Sequence, residues 1–271
     1  MTPIFDFDAY SSAQIAEKVE AIGVRKARLP LSGSILLGVL AGADIGLGAL
    51  YFTLVASDPT LSFAVSRLLG GLVFSFGLIL VILAGAELFT GNNLLVMAWA
   101  DGKISTYEVA RNWVVIYFAN AIGVIGLAVL VYLADHGTMN GGAVAKSYER
   151  IAAAKADLPF SEAFFKGVLC NALVCLAVWL SLAGRSVTDK ILAIVFPISA
   201  FVAAGFEHCI ANMYFFAFAG LGQIGAADAA GIGWAGAFSN LAAVTLGNVA
   251  GGSVLVAAIY HLIYRRAMPP E

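Results

Sequence analysis

Six apolar stretches of roughly the length that crosses a bilayer as a helix dominate this chain and constrain its fold more than any other feature. They run from about Leu31 to Val55, Leu68 to Phe89, Trp113 to Leu133, Phe164 to Ala183, Ile191 to Phe206, and within Ala229 to Tyr260. Asp44 is the single charge of the first and Glu87 of the second; the third has none. No strand-like alternation punctuated by turns appears, which disfavours a β-barrel. Composition agrees: 61% of residues are apolar and 12% charged, against about 25% charged in soluble domains. These values exclude a cytosolic enzyme, a nucleic-acid binder and a disordered protein. The expectation is an all-α polytopic membrane protein.

Cys170, Cys175 and Cys209 all lie inside apolar stretches, so neither a disulfide framework nor a zinc site is expected. No metal, cofactor or catalytic residue is assigned. The polar N-terminus has no basic segment leading into an apolar one, so no cleaved signal peptide is expected. Residues 1–28 form an N-terminal segment. Within it Ser11–Arg28 carries Ile15, Val19, Ile22 and Ala27 near one face, predicting an amphipathic helix lying on the cytoplasmic surface. Six spans place ten of the fifteen Lys and Arg residues on the side of both termini, so both termini are expected in the cytoplasm. A transmembrane domain over 29–265 and a short tail over 266–271 complete the layout.

The chain also repeats itself. Gly85-Ala86-Glu87-Leu88-Phe89-Thr90-Gly91-Asn92 aligns with Gly205-Phe206-Glu207-His208-Cys209-Ile210-Ala211-Asn212 at an offset of 120, and Gly38-Val39-Leu40 resembles Gly167-Val168-Leu169 at an offset of 129. Each long copy closes an apolar stretch and is followed by a shorter apolar stub. Three spans used twice insert with opposite orientations, because three is odd. The halves, about 29–134 and 160–265, therefore form an inverted repeat with two broken helices. Matched interruptions of this kind point to a substrate site near the bilayer midplane. Non-helical backbone survives there only where protein or a water-filled cavity satisfies it, and half-helix N-termini favour an anion.

His208 is the one histidine inside a span, and an ionisable side chain at that depth is expensive and usually functional. Thr90 faces no counterpart hydroxyl, since its repeat partner is Ile210. A hydroxyl from one break and an imidazole from the other would give two donors to a small oxyanion. Glu87 and Glu207 are expected to accept hydrogen bonds from amides freed by the breaks, with Asn92 and Asn212 as local caps. Asn171 is either a lining group or interhelical glue, whereas Asn248, among small neighbours, reads as glue. Lys155 and Lys166 flank the outer mouth and Lys26 the inner one, where positive charge would gather anions; snorkelling to the interface is the plainer account of Lys166. Phe74, Leu78, Leu88, Phe89, Val174 and Phe201 either narrow a pore or simply pack.

The stretches Ala86–Asn92 and Gly205–Met213 resemble the two signatures of the formate/nitrite transporter family. Gly23-Val24-Arg25-Lys26-Ala27, Leu169–Trp179 and Gly184-Arg185-Ser186 support the likeness, which extends from about Ser12 to Tyr264. The resemblance implies a homopentamer in the inner membrane with one aquaporin-like pore per protomer, passing small monovalent anions such as formate, nitrite or hydrosulfide. It places the family's central histidine on His208, its loop threonine on Thr90, and its acidic partner and asparagine on Glu207 and Asn171. Its vestibule lysines fall on Lys155 and Lys26, and its constriction on Phe74, Leu78, Leu88, Phe89, Val174 and Phe201. The stretches Gly23–Ala27 and Gly184–Lys190 are closer to the formate branch. Ala41–Gly48 is closer to the nitrite type, and Asp44 matches neither. The expected function is a formate channel, with a nitrite or hydrosulfide channel of the same family as the alternative; His208 either donates a proton to the anion or, as imidazolium, offsets its charge while it passes unprotonated. An aquaporin-like channel for neutral solutes would show paired Asn-Pro-Ala breaks, which are absent, and an intramembrane enzyme would need a paired nucleophile or metal site.

Overall fold

The computed structural model describes residues 9–223 and 233–267, and every regular element among them is helical. Helix α1 (Ser12–Ala27) starts at a reciprocal cap, in which Ser11 Oγ accepts from the Gln14 amide and the Gln14 side chain accepts from the Ser11 amide. Then follow α2 (Leu31–Ala56) and α3 (Phe63–Ala84). After a break, a 3₁₀ turn (Gly91–Leu94) leads into α4 (Leu95–Ala100), and α5 (Thr106–Leu133) closes the first half. The second half comprises α6 (Ala143–Ala156), α7 (Phe160–Ala183), α8 (Val187–Ala204), a second break, α9 (Cys209–Gly222) and α10 (Trp234–Ala250). Helix α10 runs on through π-helical turns at Gly251–Ala258 and Leu262–Ala267. Six of these helices are long and apolar enough to cross a membrane, the last spanning Trp234–Ala267. Residues 229–232 of the sixth expected span, and 1–8 and 268–271 of the terminal segments, lie outside the described residues.

Both breaks are built alike. The helices before them end on Gly85 (φ +84°) and Gly205 (φ +77°), a left-handed conformation that glycine adopts without a Cβ penalty. The second span, α3, therefore stops at Ala84, short of the Phe89 that apolarity suggested, because Gly85 turns the chain out of the helix. The third span starts at Thr106 rather than Trp113, since Ser105 and Glu108 form a capping box that carries the helix past Glu108 and Arg111.

In each half, the first spanning helix packs on its two partners: α2 on α3 and α5, α7 on α8 and α10, while α3 and α8 meet each other. Where α3 and α8 meet, Ser75 Oγ donates to the Val195 carbonyl at 3.3 Å. These residues are 120 apart, so equivalent positions touch, as they do on a pseudo-two-fold axis. Small residues allow the outer helices to approach. A Cβ on Gly123 would lie 2.0 Å from the Val39 carbonyl oxygen, and one on its counterpart Gly251 would lie 2.1 Å from that of Val168. Gly251→Ala is accordingly expected to destabilise the protein by about 1–3 kcal/mol through overpacking. Thermal unfolding in detergent would measure this, and an unaltered midpoint would contradict the close α7–α10 approach.

Two features depart from the sequence expectation. The segment between the third and fourth spans holds α6, whose Val144, Tyr148, Ala152 and Ala156 are buried. It is the counterpart of α1, and the pairing of the halves thus reaches outside 29–134 and 160–265. Helix α1 does not rest on a membrane surface with its apolar face. Ile15, Ala16 and Val19 pack with Leu94, Met97, Cys175, Trp179 and Val256, so protein rather than lipid covers that face. Buried Glu20 locks it in place, pairing with Lys103 and, at 2.9 Å, with Arg265, while Lys103 also meets Asp101 at 2.9 Å. The Lys103 hydrogen bond lowers the Asp101 carboxyl below its ordinary range, and the bond to Glu20 raises the Lys103 ammonium. A depressed carboxyl stabilises the fold above its unfolded value, and that contribution disappears as pH falls through the folded one. Protection factors of the α1 amides, in which the intrinsic pH dependence of exchange is divided out, should therefore fall below about pH 4. Replacing Asp101 by Asn should weaken that acid response, and an identical response would refute the assignment.

Candidate functional site

The carboxylates of the two breaks find side chains rather than the freed amides. Glu87 is 4% exposed and Glu207 5%. Lys26 Nζ lies 3.0 Å from Glu87 Oε1 and donates to Asn92 Oδ1 at 3.0 Å. Asn92 Nδ2 donates to Glu87 Oε2 (2.8 Å) and Asn112 Oδ1 (3.0 Å), and Asn112 Nδ2 returns to the Lys26 carbonyl (3.2 Å). The second half repeats the circuit. Lys155 Nζ donates to both Glu207 oxygens at 2.9 Å; Asn212 Nδ2 donates to Glu207 Oε2 (2.6 Å) and Asn240 Oδ1 (2.8 Å); Asn240 Nδ2 returns to the Lys155 carbonyl (2.9 Å). Asn92 and Asn212 are thus links in an ion-pair circuit rather than local caps. The lysines come from α1 and α6, the helices that precede each half.

The freed amides are met elsewhere. Phe89 N–H donates to Asn120 Oδ1 (2.9 Å), and Asn120 Nδ2 donates to the carbonyls of Gly38 (2.7 Å) and Glu87 (2.9 Å). Cys209 N–H donates to Asn248 Oδ1 (3.0 Å), and Asn248 Nδ2 donates to the carbonyls of Gly167 (2.8 Å) and Glu207 (3.0 Å). Asn248 therefore does more than join helices, correcting its reading as glue. Asn120, Asn112 and Asn240 went unnoticed in the sequence, although both pairs are 128 residues apart, close to the offset of the surrounding repeat.

At the centre, Thr90 Oγ1 lies 3.1 Å from His208 Nε2. These residues are 0% and 3% exposed. His208 caps α9, with Nδ1 accepting from the Ala211 amide at 3.2 Å. In a neutral ring that acceptor role puts the proton on Nε2, which then donates to Thr90 Oγ1 and leaves the threonine hydroxyl hydrogen free. The Thr90 carbonyl accepts from Asn171 Nδ2 (3.3 Å) and Cys175 Sγ (3.4 Å), and Asn171 also reaches Asn93 Oδ1 and the Asn248 carbonyl. Asn171 thus backs the threonine loop from behind.

Two cavities approach this pair. One, of about 360 Å³, is lined by Arg25, Lys26, Glu87, Asn92, Lys190 and the apolar Leu78 and Leu88. The other, of about 350 Å³, is lined by Arg67, Lys155, Lys166, Glu207, His208 and the apolar Phe74 and Phe201. Lys166 also pairs with Glu162 one helical turn away at 2.7 Å. Phe74 meets Phe201 edge to face (centroids 5.7 Å apart), and Phe201 lies nearly parallel to the His208 ring. Phe89 and Val174 line neither cavity. Phe89 packs instead on Trp113 and Tyr117, and Val174 is buried in the main core. Asp44, half-buried on α2, also lines neither cavity.

The arrangement comprises two vestibules with cationic and apolar linings and one hydroxyl–imidazole pair, in which His208 lines one vestibule and Thr90 adjoins Gly91, which lines the other. The profile of the formate/nitrite transporter family matches residues 13–262. The chain is 41% identical to the uncharacterized transporter YrhG of Bacillus subtilis (strain 168), covering 93% of each chain. It is 35% identical to the formate channel FocA of Escherichia coli (strain K12), covering 96% of each. A solved pentameric formate channel with formate bound superposes with a TM-score of 0.81 at 39% identity, over 87% of this chain and 98% of that one. The chain belongs to the formate/nitrite transporter family and is a multi-pass membrane channel protein.

Proposed function

We propose that this protein passes formate across the cytoplasmic membrane as a homopentamer, with both termini in the cytoplasm and His208 coupling the passage to a proton. The single observation that carries this reading is the Thr90–His208 pair, 3.1 Å apart, where His208 lines one lysine-bearing vestibule and Thr90 adjoins Gly91 of the other. Formate and the pentamer enter from the relatives, which include a formate channel and a pentameric channel holding formate.

The physical logic starts from desolvation. A bare monovalent anion between Leu78, Leu88, Phe74 and Phe201 loses its water to apolar walls, at a cost an isolated charge cannot meet. Lys26 with Arg25 and Lys190 on one side, and Lys155 with Arg67 and Lys166 on the other, outnumber the one glutamate that lines each vestibule and raise the local anion concentration. The free Thr90 hydroxyl then offers one donor to the carboxylate oxygens, Nε2–H of His208 offers a second by turning from Thr90 Oγ1 to the anion, and α9 adds the positive end of its dipole. Once His208 has taken a proton from vestibule water and become an imidazolium, releasing the Ala211 amide, it can pass that proton to the anion and return to the neutral ring; the neutral acid then crosses the apolar segment cheaply, and histidine exchanges protons in this way near neutral pH. Glu207 and Asn171 hold the lysine and the threonine loop rather than the substrate.

Uptake of formate, nitrite, hydrosulfide and acetate into proteoliposomes at two pH values tests the reading. Formate uptake that is fastest of the four and rises on acidification is expected. Preference for nitrite or hydrosulfide would reassign the cargo within the family, and rates indifferent to pH would remove the proton from the mechanism.

A further inference from the structure

Each break contains one residue whose two flanking peptide groups are gripped by a single side chain. Around position 208, Asn248 donates to the carbonyl before it (Glu207) and accepts from the amide after it (Cys209). Around position 88, Asn120 does the same with Glu87 and Phe89. The second Nδ2 hydrogen of each asparagine goes to the partner helix, at Gly167 of α7 and Gly38 of α2. Both asparagines are 0% exposed. Every hydrogen each amide can donate is used, and its oxygen is occupied as well. Neither glycine tolerates a side chain: a Cβ on Gly38 would lie 2.5 Å from that of Ala119, and one on Gly167 2.8 Å from the Val244 carbonyl oxygen. The clamp therefore fixes the loop against the helix wall at a set depth.

From this we infer that Asn120 and Asn248 are positioning residues that set the depth of residues 88 and 208 in the pore, and that the two clamps are chemically the same while the residues they hold are not. One clamp presents an apolar side chain, Leu88. The other presents the imidazole of His208, aimed at Thr90. The functional asymmetry of the pore then resides in what is clamped, and an identical lesion in the two clamps has different consequences. This inference rests on the role proposed for His208.

The matched lesion is Asn→Asp. An aspartate still accepts from the Phe89 or Cys209 amide, but it turns an oxygen toward two carbonyls that had received hydrogen bonds. The full-length protein in proteoliposomes is assayed for formate uptake at about pH 5.5 and about pH 7.5, on either side of an ordinary histidine, with His208→Phe as reference. Asn248→Asp is expected to reduce the acid-to-neutral uptake ratio toward that of His208→Phe and to raise the half-saturating formate concentration, roughly tenfold or more, as misplacement of a reacting group does. Asn120→Asp is expected to slow uptake by a similar factor at both pH values and to keep the ratio. Because aspartate is costly when buried, Asn248→Ser and Asn120→Ser repeat the comparison in a milder form. A wild-type ratio and half-saturation in both Asn248 variants would overturn the inference, as would equal changes of ratio from the Asn120 and Asn248 lesions, which mark a purely structural clamp. Unchanged uptake in His208→Phe would overturn the reading of the imidazole itself and the clamp's role with it, so the two failures are told apart.

Discussion

Proteoliposomes carrying His208→Phe are expected to lose proton-driven formate uptake by at least about a hundredfold, the lower end of what a positioned proton donor contributes. Phenylalanine retains the flat apolar body that lies nearly parallel to Phe201 (centroids 6.1 Å, 21°), so the constriction stays filled. What disappears are Nε2, the partner of Thr90, and Nδ1, the acceptor of the Ala211 amide. Loss of the cap alone costs on the order of 1 kcal/mol, which a helix buried along most of its length withstands. The carbonyl of Thr90 remains held by Asn171 and Cys175, so the facing loop keeps its shape. His208→Asn separates the two functions of the ring. Asparagine is a strong N-cap residue but carries no exchangeable proton near neutral pH, so it should restore α9 and leave coupling absent. Uptake driven by a pH gradient at the wild-type rate in either variant would refute the imidazole as the proton donor.

Much of this centre was readable from the sequence because membranes make interruptions visible. A charge or a glycine within an apolar run stands out, and the Gly-x-Glu motif occurring twice, 120 residues apart, located both breaks. The mismatch of Thr90 with Ile210 singled out the half that supplies the hydroxyl. The partners of Glu87 and Glu207 were not readable, since a carboxylate is equally well served by local amides or by a lysine far upstream in the sequence, as Lys26 and Lys155 are. Helix α6 escaped notice because a fourteen-residue amphipathic helix is too short and too polar to register as a span, although Val144, Tyr148, Ala152 and Ala156 recur at four-residue spacing. Asn120 and Asn248 looked like helix glue or like nothing, because one polar residue in an apolar helix reveals its target only when the loop it holds is seen. The contact face of α1 was legible as apolar, but apolarity does not distinguish lipid from protein.

The Lys155–Glu207 pair should show the largest effect on stability. Lys155 and Glu207 have side chains 15% and 6% exposed, with both carboxylate oxygens 2.9 Å from Nζ. Lys155→Met keeps an unbranched apolar side chain but loses the ammonium, which lies 5.5 Å from the Phe215 ring centroid, and leaves a buried carboxylate with Asn212 as its remaining hydrogen-bond donor. Removing one partner of a buried pair costs about 3–5 kcal/mol, mostly as the penalty of the stranded charge. The double variant Lys155→Met/Glu207→Gln removes that charge as well. Its glutamine still accepts from Asn212, so thermal stability should recover most of the loss. Formate uptake should recover only in part, because the double variant restores the net charge of the vestibule but not an ammonium that can donate to the anion. The two measurements thus divide the lysine's contributions: stability follows the charge balance of the pair, transport follows the ammonium. A single variant as stable as wild type would show that water reaches Glu207 freely and that the pair is not buried in the membrane protein. A double variant that regained uptake in full together with stability would show that Lys155 serves the break alone and leaves the gathering of anions on that side to Arg67 and Lys166, which line the same cavity.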